Sequence, residues 1–181
     1  MVKYICRKPG KKSVNIIKRD SKVVSSSYAR EYSFVFKKGK GMYLWDVDNK
    51  KYLDFAASVA VNSVGLANND VIKAVKKQLN YGLHCAFPDF YAEMPVIFIE
   101  NLLKFVPQHL DNAFLSNSGT ESVECALKLA KWHTNKKWLI AFNPCFHGRT
   151  IGSLSMTNSK PVQRERFGPF LPVRHVPYPY F

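Results

Sequence analysis

The sequence predicts an α/β fold with a mainly parallel sheet covered by helices, and three observations carry that expectation. Two short apolar runs, Ala113 to Ser116 and Lys137 to Phe142, have the length and bulk of strands. A single helical run, Thr120 to about His133, separates them, which is the connection a parallel strand pair needs. Each apolar run passes straight into a small polar turn, "SNSG" and "NPCFHGR", before a helical pattern resumes.

The elements follow in chain order. A chain of 181 residues with 46% hydrophobic content has the length of one domain, or of a domain with an arm, and can bury a core. Residues 1–40 carry 12 Lys and Arg against 2 acids, so +10 of the net charge of +14 sits there. This segment is expected to be a basic, solvated and partly mobile N-terminal arm, able to attract phosphate backbones without specificity. No aromatic-basic signature of a single-strand-binding or RNA-binding sheet accompanies the charge, so no specific nucleic-acid partner is expected. Residues 41–68 form the next unit. "GMYLWDVDNKKYLDF" alternates apolar and polar residues around an Asp48-Asn49 turn, which predicts a β-hairpin, and a pocket loop follows it.

Residues 69–181 are expected to be an incomplete ligand-binding large domain. Asn69 or Asp70 is placed to cap "VIKAVKKQL", whose Val71, Ile72, Val75 and Leu79 share one face. "EMPVIFIENLLKFVP" predicts another helix, with Pro95 in its first turn and Pro107 closing it. After the βαβ pattern, Gly148 to about Met156 predicts a further helix, and "PVRHVPYPYF" begins another extended run.

No run of about 18 apolar residues appears, and the charged start MVKYICRKPGKK lacks the apolar stretch of a secretion signal. No membrane association is expected. Cys6, Cys85, Cys125 and Cys145 are scattered without a CxxC pair, which suits reduced thiols in a cytoplasmic protein better than a disulfide framework or a metal site.

The junction at "SNSGTESVECALKLAKWH" holds the most chemistry. Ser118 and Glu121 have the S-x-x-E spacing of a capping box, and Val123, Ala126, Leu127 and Ala130 follow at helical spacing, predicting one buried face. The free amides of a first helical turn, at the positive end of the helix dipole, are a site for an anion such as phosphate. Gly119 leaves room for close approach, and the hydroxyls of Ser118 and Thr120 add donors. Read alone, the loop is better accounted for by plain strand-stopping and helix-capping. The Walker and GxGxxG patterns are absent. Neighbouring parallel strands, however, end at the same crevice, which brings the turn Phe146-His147-Gly148-Arg149 beside the Ser118 loop. An anion cradle, a flat aromatic and a cation together suit a planar phosphorylated cofactor and a carboxylate-bearing substrate.

With "WDVDNKKYLDF", "LSNSGTESVECALKLA" and "FHGRTIGSLSMT" in this order, the chain from about Tyr28 onward resembles the N-terminal part of a class III aminotransferase. That group includes acetylornithine, ornithine and 4-aminobutyrate aminotransferases. "LHCAFPDFYAEMPV" and "PFLPVRHVPYPY" lean toward its 4-aminobutyrate or broad-specificity branch. The resemblance implies a fold type I large domain and pyridoxal 5'-phosphate as cofactor. By resemblance, Ser118, Gly119 and Thr120 hold the phosphate, Phe146 stacks on the pyridine ring, and His147 positions the site. Arg149 matches the arginine that contacts the substrate carboxylate, a task suited to a planar guanidinium. Ser58 and Val59 fall in the segment that approaches the substrate pocket. One departure is the loop Gly65-Leu66-Ala67-Asn68-Asn69, where the family often carries Gly-His-x-x-Pro.

The resemblance also implies an amino-acid substrate, a 2-oxo acid, and a homodimer or a complementing C-terminal chain. Transamination needs a lysine that bears the cofactor and a carboxylate opposite the pyridinium nitrogen, and no residue here occupies either context. No catalytic residue is therefore assigned, and the expectation is an N-terminal fragment that is inactive alone. Two other readings stay open: a non-catalytic phosphate- or cofactor-binding module, and a basic protein that associates with nucleic acid.

Overall fold

The computed structural model describes residues 8–28 and 30–180, and these fall into two compact units, Met1–Phe90 and Tyr91–Phe181. In the first, helix α1 (Lys11–Val23) is followed by strands β1 (Phe36–Lys40), β2 (Tyr43–Asp46) and β3 (Lys51–Leu53). The strands form an antiparallel sheet in the order β1-β2-β3, so the predicted hairpin is present with a third strand on its open edge. Its turn is built around Asp46, which is almost fully buried and accepts from the amide of Lys50 at 2.8 Å and from the hydroxyl of Tyr52 at 2.8 Å. Asn49 takes the left-handed conformation the turn requires.

The segment 1–40, expected as a solvated arm, is exposed over most of its described residues but carries regular structure. Its residues 1–7 lie outside the described residues, but 11–23 are helical and 36–40 pair with β2. The sequence gives α1 no capping side chain, since Gly10 stands at the cap position. The cap comes instead from Asp48 of the hairpin turn. Its carboxylate accepts from the amides of Lys12 and Ser13, both at 3.0 Å, and from the Ser13 hydroxyl at 2.5 Å. Ser13 is buried, and the basic side chains of the helix point outward.

After β3 the chain makes one left-handed turn, α2 (Ala57–Ala60), and then helix α3 (Asn69–Leu79). The cap of α3 is Asn68, one residue before the predicted positions, and it accepts from the amides of Asp70 and Val71. The face carrying Val71, Ile72, Val75 and Leu79 exists but stands exposed.

The second unit holds helix α4 (Glu93–Leu103), helix α5 (Gly119–Thr134), strand β4 (Leu139–Asn143), helix α6 (Ile151–Met156) and strand β5 (Val173–Pro177). The parallel sheet is real, but its pair differs from the one predicted. β4 pairs with β5, from Leu139 opposite Val173 to Asn143 opposite Pro177, with α6 in the connection. Residues 113–116 form no strand, because no described segment offers them a ladder partner. A strand exists only through hydrogen bonds to a neighbour, which an apolar pattern cannot supply.

The core of this unit is small. Leu127, Ala141 and Leu154 are its buried apolar residues, packed with buried Ser153, Ser155 and Thr157. The predicted buried face of α5 reduces to Leu127, since Ala126 and Ala130 are exposed and Val123 is half-buried.

Candidate functional site

The N-terminus of α5 is shaped by hydroxyls and one carboxylate. Ser118 is extended, and its Oγ accepts from the Glu121 amide at 3.2 Å. Glu121 reaches back to accept from the amide of Asn117 at 2.6 Å, one residue beyond the usual capping-box partner, Ser118. The Ser116 and Ser122 hydroxyls lie 2.6 Å apart, one donating to the other, and both sit within 3.2 Å of the Ser118 carbonyl, which accepts from the one whose hydrogen is left. These contacts leave the amides of Gly119 and Thr120 without an acceptor among the described residues. A Cβ placed on Gly119 would have open space around it, so the approach to those amides is clear.

The second loop meets the first at Gly148. This residue is buried, has φ of +134°, and a Cβ there would run into the Thr120 hydroxyl and the Ser153 side chain. The predicted neighbourhood of the Ser118 loop and the 146–149 turn therefore holds, although residues 113–116 are not a strand. Only glycine satisfies both the dihedral and the close approach.

Thr157 fixes the turn from beneath. Its buried hydroxyl accepts from the His147 amide at 2.8 Å and donates to the Gly148 carbonyl at 3.0 Å. Cys145 and Asn158 exchange backbone and side-chain bonds at 2.9 Å, and the Cys145 thiol donates to the Met156 carbonyl. Glu124 of α5 accepts from the Ser153 amide at 2.8 Å and from the Thr150 hydroxyl, tying α5 to the start of α6. With its backbone so held, the turn presents Phe146 (54% exposed) and Arg149 outward, and His147 half-buried. No carboxylate pairs with Arg149 among the described residues.

Glu124, Thr157 and Asn158 escaped the sequence reading. A carboxylate within the otherwise apolar stretch "VECALKLA", and the polar pair closing "LSMTN", were the available signals.

Ser58 and Val59 belong to the first unit. Residues 57–60 all have positive φ, Val59 at 62°, and Val59 is 91% exposed. A β-branched residue in the left-handed region is strained. Asp54 holds the turn by accepting from the amides of Ala56 and Ala57 at 3.0 and 2.8 Å, and Asn62 donates to the Ser58 hydroxyl at 2.9 Å.

The profile of class-III aminotransferases matches residues 24–181. The chain belongs to the class-III aminotransferase family. The acetylornithine aminotransferase of Methanopyrus kandleri is 44% identical over 142 residues, covering 77% of this chain and 36% of that protein. The alanine/serine racemase of Pyrococcus horikoshii is 30% identical over 179 residues, 98% of this chain and 38% of that protein. Among solved structures, the ornithine aminotransferase of Toxoplasma gondii superposes with a TM-score of 0.82 at 28% identity, over 92% of this chain and 40% of that one. That structure carries partly occupied pyridoxal phosphate in its active site. The class-III chain thus spans little more than a third of the curated relatives it matches, and its fold is that of the fold type I aminotransferases. Class-III aminotransferases use pyridoxal 5'-phosphate.

The residues present fit that group. Two free amides at the positive end of a 16-residue helix suit a phosphate ester, with the Thr120 hydroxyl beside them. No helix among the described residues is long and apolar enough to cross a membrane.

Proposed function

We propose that the class-III chain is the N-terminal part of a pyridoxal-phosphate-dependent transaminase that moves an amino group between an ω-amino donor and a 2-oxo acid. The observation that carries this reading is the junction at Gly148, where the open N-terminus of α5 is pressed against the turn bearing Phe146 and Arg149. In this reading Ser118, Gly119 and Thr120 bind the cofactor phosphate and Phe146 stacks on its ring. His147 keeps the turn in place, Arg149 takes the substrate carboxylate, and Ser58 and Val59 contact substrate. Once bound, pyridoxal phosphate supplies the electron sink for amino-group transfer.

The protein's own residues bind and orient. The helix dipole and the amides neutralise phosphate charge without a metal, and a guanidinium grips a carboxylate through two parallel bonds. Relatives named for acetylornithine and ornithine support an ornithine-type donor over 4-aminobutyrate. The lysine that carries the cofactor is proposed to lie in polypeptide beyond these 181 residues, and residues 69–181 to contribute to the cofactor domain behind an arm and a hairpin. A homodimer in the cytoplasm completes the reading.

The test is an assay of this chain, alone and joined to a lysine-bearing complement, with N-acetylornithine, ornithine and 4-aminobutyrate as donors and 2-oxoglutarate as acceptor. Turnover is expected only with the complement, and Arg149→Ala there should lower kcat/KM at least about tenfold while cofactor affinity holds. Turnover by the chain alone, or an unchanged kcat/KM in Arg149→Ala, would refute it.

A further inference from the structure

The antiparallel register of the first unit sorts its side chains in a way the linear sequence hides. Tyr43 and Trp45 are two apart on β2 and share one face. Residues opposite one another across a ladder also share a face, and Trp45 lies between Lys38 on β1 and Lys51 on β3. Tyr43 likewise lies opposite Lys40. One face of the sheet therefore carries two aromatic rings and three lysines.

The lysines are left unpaired by design of the turn. Each carboxylate of the hairpin region is occupied elsewhere: Asp46 by Lys50 and Tyr52, Asp48 by the start of α1, and Asp54 by the amides of α2. None of the three lysines has an acidic partner among the described residues. Instead Lys51 Nζ stands 3.6 Å from the Tyr43 ring centroid, and Lys38 Nζ 5.2 Å from that of Trp45. A cavity of about 480 Å³ opens beside Lys40, Tyr43 and Trp45, with Val64 and Leu66 as its apolar wall.

We propose that this face binds single-stranded nucleic acid, with Tyr43 and Trp45 as a stacking floor for bases and Lys38, Lys40 and Lys51 on the phosphates. Rings with cations close around them are the elements of a strand-tracking groove, in which bases stack without sequence readout. An anionic membrane would take the charge but has no use for a cleft walled on one side. The outward basic side chains of α1 add long-range attraction. The proposal stands apart from the cofactor site, since it uses none of its residues.

The experiment is fluorescence anisotropy of the full chain with oligothymidylate of about 20 nucleotides and with an abasic strand of equal phosphate count. Co-sedimentation with phosphatidylserine-containing vesicles forms a third arm. The thymidylate strand is expected to bind at least about tenfold tighter than the abasic one. The slope of log affinity against log salt should fall by about 2 in the triple variant Lys38→Gln, Lys40→Gln and Lys51→Gln, as three lost phosphate contacts at about 0.7 each require. Tyr43→Ala, checked for native circular dichroism, should erase the preference for bases and keep the slope; Tyr43→Phe should retain both. Equal affinity for the two strands, binding to vesicles alone, or an unchanged slope in the lysine variant would overturn the proposal.

Discussion

At the scale of single residues the turn that bears Phe146 and Arg149 depends on groups buried beneath it. Thr157 is the clearest: its hydroxyl accepts from the His147 amide and donates to the Gly148 carbonyl. Thr157→Val keeps the volume and leaves the His147 amide without that acceptor, so a loss of about 1–3 kcal/mol in urea denaturation is expected. No change would remove Thr157 from this role. Gly148→Ala demands a side chain at φ of +134° and presses it on Thr120, which should cost at least about 1–3 kcal/mol and weaken phosphate binding. The Ser118 cap was legible in the sequence because a capping box has a fixed spacing. Thr157 was not, because only the fold brings it beneath a turn ten residues earlier.

At the scale of elements, α1 shows how local and distant signals divide. Its concentrated positive charge made a loose arm the expectation, and its sequence has no N-cap, yet the Asp48 carboxylate supplies the cap from 35 residues away. Donation from the Ser13 hydroxyl is the main cause that lowers the Asp48 pKa below its ordinary value of 3.8, helped by the Ser13 and Lys12 amides and by Lys50, with burial opposing. A lowered carboxylate pKa gives stability that is present above the unfolded value and lost as pH falls through the folded one. The protection factors of the α1 amides, that is, exchange corrected for its intrinsic pH dependence, should therefore be flat from neutral pH down to about 4 and fall only below it. Asp48→Asn should show the lowered protection at every pH; a transition near neutrality would contradict the assignment. The turn α2 stores strain of its own. Val59→Gly removes a β-branch at φ of 62° and should raise stability by about 1 kcal/mol in chemical denaturation. The segment 113–116 marks the opposite limit, where a strand-like sequence has nothing to pair with.

At the scale of the whole chain, the α/β class, the presence of a parallel sheet and the family were readable in the sequence, while the partner of β4 and the extent of burial were not. Periodicity shows which side of a helix is apolar; it cannot show whether anything covers that side. Trp132 is 89% exposed, and Phe105, Phe114 and Ile140 are exposed as well. Apolar surface of this kind promotes association, so sedimentation velocity should show mass rising with concentration; a monomer at all concentrations would mean these faces are satisfied some other way. The phosphate cradle is tested most directly by titrating the chain with pyridoxamine 5'-phosphate and with pyridoxamine while following its amide resonances. The amides of Gly119 and Thr120 should move with the phosphorylated compound and stay still with the other. Equal shifts with both compounds, or shifts that avoid Gly119 and Thr120, would contradict the assignment of α5 as the phosphate end of the site.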